Sequence, residues 1–453
     1  SRLRSTSRVR SMAPNILVVL TDQQRPDSCG VFGQQLPVTP VLDDLATRGV
    51  AFEEAFTVQP VCGPARASLQ TGSYPTRIGC WRNGLALPPE VPTLAGRLGE
   101  LGYRTGYVGK WHLASDRGPG LPADREPHRC ERGPVPPSRR GGYRDVWVAA
   151  DALEHTSKPY AGHLFDEEGE RVELDGYRVD ALTDLAIDGL GRLGRDRPFL
   201  LWVSYLEPHH QNDQLRTVGP LGWAPRYANF ERPGDLSWWR GDWRWNYASY
   251  LAACASIDAN LGRLVDALRA DGRLSDTIIV FISDHGSHFR TRNLEYKRSP
   301  HDASIRVPLV IAGPGFTGGR RRRDLVTQLD LLPTLVAAAG GDATDVDGVP
   351  LQDDTCRSDV FVQISESQIG RAIRTPTHTL SVAARSANPL AGHLRPAADR
   401  YRLTHLYDNV ADPHQQRNLA RDRASRPIVE ELMDRLAQRI LEVEDATPHL
   451  IPD

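Results

Sequence analysis

Four short polar clusters could carry acid–base and ligand chemistry in this chain of 453 residues: Asp22-Gln23, Lys110 with His112, His209-His210, and Asp284-His285. Asp22, Gln23, Asp284 and His285 would offer carboxylate, amide and imidazole donors, a mainly oxygen set suited to a hard divalent cation. Calcium is the first candidate, with magnesium and manganese behind it. An Asp after a strand often only caps the helix that follows. The company of Asp22 and Asp284, which includes His285 and the lysines Lys110 and Lys297, argues for more than capping. Cys62 is a further candidate, but a lone cysteine is more often a small buried hydrophobe than a nucleophile, so its neighbours must decide.

The elements that would position these groups follow a repeated grammar. Residues 15–20 are a continuously apolar, β-branched run of the kind buried in a parallel sheet, and the run stops at Thr21-Asp22-Gln23-Gln24. Residues 92–101 carry Leu94, Leu98 and Leu101 at helical spacing; Gly102 then breaks the pattern before a strand at 103–108 and the polar stretch 109–112. The same order recurs in a helix at 179–193, a strand at 198–205 and Glu207-Pro208-His209-His210. It recurs again in a helix at 250–268, a strand at 277–282 and Ser283-Asp284-His285-Gly286. Alternation of helix and apolar strand predicts a large α/β/α sandwich with a mainly parallel central sheet, in which ligands gather outside the carboxyl ends of the strands. All four clusters fall at such ends.

Beyond Gly341 the character changes to short β-like runs at 360–364, 378–382 and 401–407 and an amphipathic helix at 428–443. These predict a small C-terminal α+β subdomain with an antiparallel sheet. The expected units are 12–345 and 346–453, with 1–11 a cloning scar or disordered extension. Two irregular stretches, 117–142 and 211–245, read as long loops, and the second holds Trp238, Trp239, Trp243 and Trp245. Packing of that loop onto the sheet is the leading use for the tryptophans, and stacking on a sugar or aryl group is the alternative. Arg320 to Arg323 reads as a solvated turn.

Composition excludes several classes. The formal net charge is −2, from 55 basic and 57 acidic residues, so there is no global electrostatic footprint for nucleic acid. No apolar run is long enough for a membrane span. Six scattered cysteines with no C-x-x-C pair argue against a disulfide scaffold and a structural zinc site. The Arg- and Ser-rich segment 1–11 has no apolar stretch, which points to the cytoplasm. One imbalance is sharp: of the 55 basic residues only Lys110, Lys158 and Lys297 are lysines.

The segment around Cys62 resolves the cysteine question. Cys62, Pro64 and Arg66 followed by Thr71-Gly72 form C-x-P-x-R-x-x-x-x-T-G, which resembles the signature of the type I sulfatases of the alkaline phosphatase superfamily. The resemblance extends over most of the chain: Asn15 to Asp22 is similar to the family's opening strand and metal ligand, Gly109 to Leu113 to its GKWHL segment, and Ser283 to Gly286 to its second metal pair. Arg306-Val307-Pro308-Leu309 and Gly313-Pro314-Gly315 resemble the strand and turn beyond its catalytic lysine. Leu406-Tyr407-Asp408, Asp412-Pro413 and Asn418-Leu419 resemble its C-terminal subdomain.

The resemblance implies a sulfuric ester hydrolase in which Cys62 is oxidised to formylglycine by a formylglycine-generating enzyme. The aldehyde hydrates to a geminal diol; one diol oxygen attacks sulfur, and the other, on losing its proton, expels sulfate as the aldehyde re-forms. It further implies metal ligation by Asp22, Gln23, Asp284, His285 and modified Cys62. Arg66 would hold the diol, Lys110 and Lys297 would neutralise sulfate oxygens, His112 would assist the diol, and His209 would protonate the leaving oxygen. Asn83 stands where related enzymes contact substrate. His210 and His301 are further pocket candidates, and His288 joins His301 near the second metal pair. The substrate would be a small-molecule or saccharide sulfate ester.

Asp22-Gln23 and Asp284-His285 depart from the commoner Asp-Asp and Asp-Asn pairs and resemble the branch of choline sulfatases and phosphonate monoester hydrolases. A phosphonate or phosphodiester hydrolase is therefore the rival reading, although those hydrolases carry tyrosine and threonine where this chain has Lys110 and His112. A catalytically silent binding protein of the same fold is the second alternative.

Overall fold

The computed structural model describes residues 13–452 except Trp238 and Pro389; the segment 1–11, read above as a scar or extension, lies outside them. The central strand Asn15–Asp22 is flanked by Thr277–Ser283 on one side and Phe199–Pro208 on the other, both parallel to it. Arg104–Lys110 and Val146–Ala150 continue the parallel order outward. Antiparallel and short strands finish both edges of this 11-stranded sheet.

Both faces are covered, which explains the unbroken apolar run of the first strand. Ile16, Val18 and Leu20 pack with Leu94, Leu98, Trp147 and Leu332. Leu17 and Val19 pack on the opposite face with Leu42, Leu182, Ile257 and Leu261. Alternate side chains of one strand thus feed two cores. Helices Cys62–Thr71, Leu94–Glu100 and Leu331–Ala338 cover the first face; Pro40–Arg48, Arg178–Arg192 and Trp243–Ala270 cover the second.

The C-terminal sheet runs Val360–Ile364, Gly370–Arg374, His378–Ala383 and Arg400–Asp408, all antiparallel, with His449–Ile451 added parallel at the edge. Helix Arg426–Glu444 lays Val429, Leu432, Leu436 and Ile440 against it. The large unit reaches past residue 345: Leu351 belongs to its core, Asp347 N–H donates to the Gly72 carbonyl, and Leu351 N–H donates to Thr334 Oγ1. The change of unit falls after that docked strap, which has no periodicity of its own to mark it.

Two further expectations are corrected. Helix Trp243–Ala270 begins seven residues before the predicted start at Tyr250, so Trp243 and Trp245 are helical. Trp243 is buried against Phe230 and Tyr247, whereas Trp239 and Trp245 are exposed; Trp238 lies outside the described residues. Arg320–Arg322 is an edge strand parallel to Val50–Phe52 rather than a turn, with Arg321 and Arg323 both paired to Glu53.

One buried ion pair fixes the loop that carries His209. Arg178, at the start of its helix, donates from Nε and Nη2 to Glu207 Oε1 at 3.0 and 2.6 Å, and also reaches Ser157 Oγ and Gln211 Oε1. Both side chains are essentially inaccessible, at 0% and 1%. Replacement of Arg178 by Met leaves Glu207 as an uncompensated buried charge and is expected to cost about 3–5 kcal/mol. Urea unfolding of Arg178→Met against the parent measures this; a loss below about 1 kcal/mol contradicts it.

Candidate active site

Register brings the acidic groups together. Thr21 pairs with Ser283 across two parallel strands, so Asp22 and Asp284 leave the sheet side by side, both fully buried. Asp284 Oδ1 accepts the backbone N–H groups of Gln23 and His285 at 3.0 and 2.8 Å, which pins its carboxylate. Asp22 Oδ2 accepts from Lys110 Nζ at 2.9 Å and from Arg66 at 3.2 Å. Lys110 is the last residue of its strand, and the preceding Gly109 has φ 112° with no room for a Cβ, which would lie 2.0 Å from the Ser204 carbonyl oxygen. Only glycine lets the strand end there.

Cys62 opens a helix whose ten residues are all buried. Its Sγ lies 2.8 Å from Lys297 Nζ, 3.4 Å from His285 Nε2 and 3.5 Å from Asp22 Oδ1. Burial alone would raise the thiol, but Lys110, Lys297 and His285, with a hydrogen bond to His112, bring it well below its ordinary value. Burial also opposes charge on Lys110, yet Asp22, the Cys62 thiolate and Glu154 keep it protonated. Asp284 is raised by burial and by Asp22, whereas Asp22, despite the same burial, is lowered by Lys110, His209 and Lys297.

The donor set fits a metal ion. Ligand atoms of Asp22, Cys62, Asp284 and His285 lie within 4.8 Å of one another. His285 Nδ1 faces the Gly286 carbonyl oxygen at 3.0 Å; a carbonyl only accepts, so Nδ1 donates there and Nε2 is the ring nitrogen that faces Cys62, at 3.4 Å. Gln23 Oε1 is buried with no hydrogen-bond partner, which leaves an oxygen donor free beside Asp22. Three oxygen side chains and an imidazole nitrogen are a set that calcium, magnesium or manganese accepts.

Above this floor opens a pocket of about 250 Å³ lined by Cys62, Asn83, His112, Glu154, His209 and Lys297 among others. A larger open cleft of about 830 Å³, bounded by Leu87 to Arg97 and Pro137 to Arg144, contains none of the four clusters. Lys297 Nζ reaches His209 Nε2 at 3.4 Å as well as Cys62. His210 stacks between the rings of His209 and Tyr296 at 4.3 and 3.9 Å, and burial, with His209 and Lys297 beside it, pushes it down to about 2, so it forms a neutral wall.

Several expected roles change with the geometry. The hydrogen bonds and ion pairs of Arg66 go to Asp22, Asp284, Ser204 and the Lys110 carbonyl, and among the described residues none goes to Cys62; it sits beneath the carboxylates and orients them. Asn83 Oδ1 is taken by the Gly63 N–H at 2.9 Å, so its carbonyl end braces the Cys62 turn while the residue still lines the pocket. His301 is not in the pocket. Its Nδ1 meets Ser299 Oγ and its Nε2 meets the Tyr407 hydroxyl under the C-terminal sheet, where burial keeps it neutral. His288 is likewise buried and hydrogen-bonds the Lys297 carbonyl oxygen.

Two carboxylates escaped the sequence analysis. Glu154 follows the strand Val146–Ala150 and lies 3.3–3.4 Å from Lys110 Nζ. The strand-end rule that found the four clusters would have found it too, had that five-residue strand been recognised behind the long loop. Glu366, from the C-terminal unit, accepts the Asn83 N–H at 2.7 Å and pairs with Arg298, bridging the Cys62 turn to the Lys297 loop from a strained φ of 65°. Nothing local in the sequence signals it.

Comparison with known proteins agrees with this architecture. A family model described as Sulfatase matches residues 14–341. An ulvan-active sulfatase of Formosa agariphila is 30% identical over 461 aligned positions, covering 95% of this chain and 82% of that protein. The solved structure of BT4656 with its substrate D-glucosamine-2-N,6-O-disulfate shares the fold at a TM-score of 0.74 and 21% identity, over 96% of this chain and 99% of that one. The phosphonate monoester hydrolase SpPMH from Silicibacter pomeroyi does so at 0.69 and 20%, over 95% and 96%. The chain belongs to the sulfatase family, the hydrolases of sulfuric esters.

Proposed function

We propose that this sulfatase cleaves a saccharide sulfate monoester to alcohol and sulfate, with a formylglycine made from Cys62 as nucleophile and a divalent cation, calcium first, held by Asp22, Gln23, Asp284 and His285. The observation that carries the reading is the position of Cys62: buried at a helix start, 2.8 Å from one ammonium and beside the paired carboxylates and the His285 imidazole. The saccharide rests on the ulvan-active relative and the glucosamine disulfate complex. When bound, the cation would supply charge neutralisation beside the nucleophile.

The chain's own residues divide the remaining work. Lys110 and Lys297 are buried point charges that stabilise negative charge growing on the ester oxygens. His209, within 3.4 Å of Lys297 Nζ and lining the pocket, is the group positioned to give a proton to the leaving oxygen. Arg66 holds Asp22 and Asp284 in register, and Asn83 holds the turn that presents residue 62. The same floor would serve a phosphonate monoester, and the Asp22-Gln23 and Asp284-His285 pairs keep that second reading in play.

Initial rates with matched aryl sulfate and aryl methylphosphonate esters separate the two readings; higher kcat/KM for the sulfate is expected, and a clear phosphonate preference overturns it. Lys110→Arg and Lys297→Arg are each expected to lower kcat/KM by about a hundredfold or more, because a planar guanidinium cannot occupy the ammonium's position. Lys158→Arg, on an exposed strand end, is expected to stay within about twofold. Adding calcium to chelated protein is expected to raise the melting temperature; at about a hundredfold over Kd the gain is about 2.7 kcal/mol. No shift with calcium, magnesium or manganese contradicts the metal assignment.

A further inference from the structure

The pocket holds a charge that opposes its ligand. Glu154, one residue into the short helix Leu153–Thr156, lines the same cavity as Cys62, His112 and His209. Its carboxylate stands 3.3–3.4 Å from Lys110 Nζ, an ammonium that also donates to Asp22 at the shorter distance of 2.9 Å. Its side chain is only 14% exposed, so solvent screens it little, and its Oε2 accepts no hydrogen bond. Glu154 helps keep Lys110 charged, but Asp22 is the nearer partner of that ammonium, and a pocket built only to attract anions gains nothing from a second carboxylate in its lining.

The carboxylate makes sense if the site must refuse as well as accept. Sulfate and phosphate monoesters present tetrahedral heads with three terminal oxygens, and a phosphonate monoester presents a tetrahedral head with one of them replaced by carbon, so shape and hydrogen-bond donors do little to separate sulfate from phosphate. Charge does: sulfate and phosphonate monoesters carry one negative charge, and a phosphate monoester carries nearly two at neutral pH. A fixed negative charge at close range in a poorly solvated pocket penalises the second charge more than the first. We propose that Glu154 is a specificity-determining residue that restricts this site to singly charged esters and excludes phosphate monoester dianions. The proposal rests on the ester-hydrolase reading of the Cys62 pocket, but not on whether sulfate or phosphonate is the preferred head.

The test assays para-nitrophenyl sulfate, methylphosphonate and phosphate with the parent, Glu154→Gln and Glu154→Asp. Because all three esters are measured on one preparation, ratios between them cancel differences in folding and maturation. Glu154→Gln is expected to raise kcat/KM for phosphate relative to sulfate by about tenfold or more, chiefly through a lower KM for phosphate. Glu154→Asp, which keeps the charge, is expected to hold the parent ratio within about threefold. If Glu154→Gln gives no cooperative melt, Glu154→Ala removes the same charge. Parallel changes for all three esters, or loss of discrimination in the aspartate variant as well, would overturn the proposal. A parent that prefers methylphosphonate over sulfate overturns the sulfate reading alone, and the ratio of singly to doubly charged esters still decides the role of Glu154.

Discussion

Two carboxylates buried side by side are the constraint on which the rest of this protein depends. Parallel pairing of the first strand with Thr277–Ser283 forces Asp22 and Asp284 together in a region with no solvent to separate their charges. Such a pair persists only if cations are built around it. Arg66 spans both from below, Lys110 shares Oδ2 of Asp22 with it, and two backbone N–H groups hold Asp284. Lys110, together with Lys297, also lowers the Cys62 thiol. Structural compensation and preparation for chemistry are therefore one arrangement.

The use of lysine follows from this crowding. Lys110 and Lys297 are two of only three lysines, in a chain that otherwise uses arginine for positive charge. At Lys297 one ammonium meets a sulfur and two imidazole nitrogens at 2.8 to 3.4 Å. A compact charge with rotatable donors suits that junction better than a rigid fork. Arg66 shows the complementary choice, since it must span two carboxylates, a hydroxyl and a carbonyl at once.

Much of this was legible from residue order. Continuous apolar strands ending in polar clusters gave the parallel sheet, its loaded edge and the metal-type donors, because burial on both faces and chemistry at strand ends leave strong local marks. What was missed lacks such marks. Glu366 reaches the site only through the docking of the C-terminal unit, a contact between residues 283 positions apart. His301 looked functional because it lies near the second metal pair in the sequence, yet its ring serves the joint between units through Tyr407. The strap before residue 355 is irregular by itself and is fixed only by the core it covers. Long-range contacts decided each of these, and a sequence read locally cannot weigh them.

The central claim is that this charge cluster exists to use a modified residue at position 62. Peptide mass spectrometry across Cys62, on protein from a host able to perform the modification, tests it most directly. The account predicts that the CH2SH group is replaced by CHO, with loss of sulfur and gain of one oxygen, in the fraction of protein that turns over sulfate esters. An unmodified thiol in fully active protein, or full conversion with no ester hydrolysis, would contradict it.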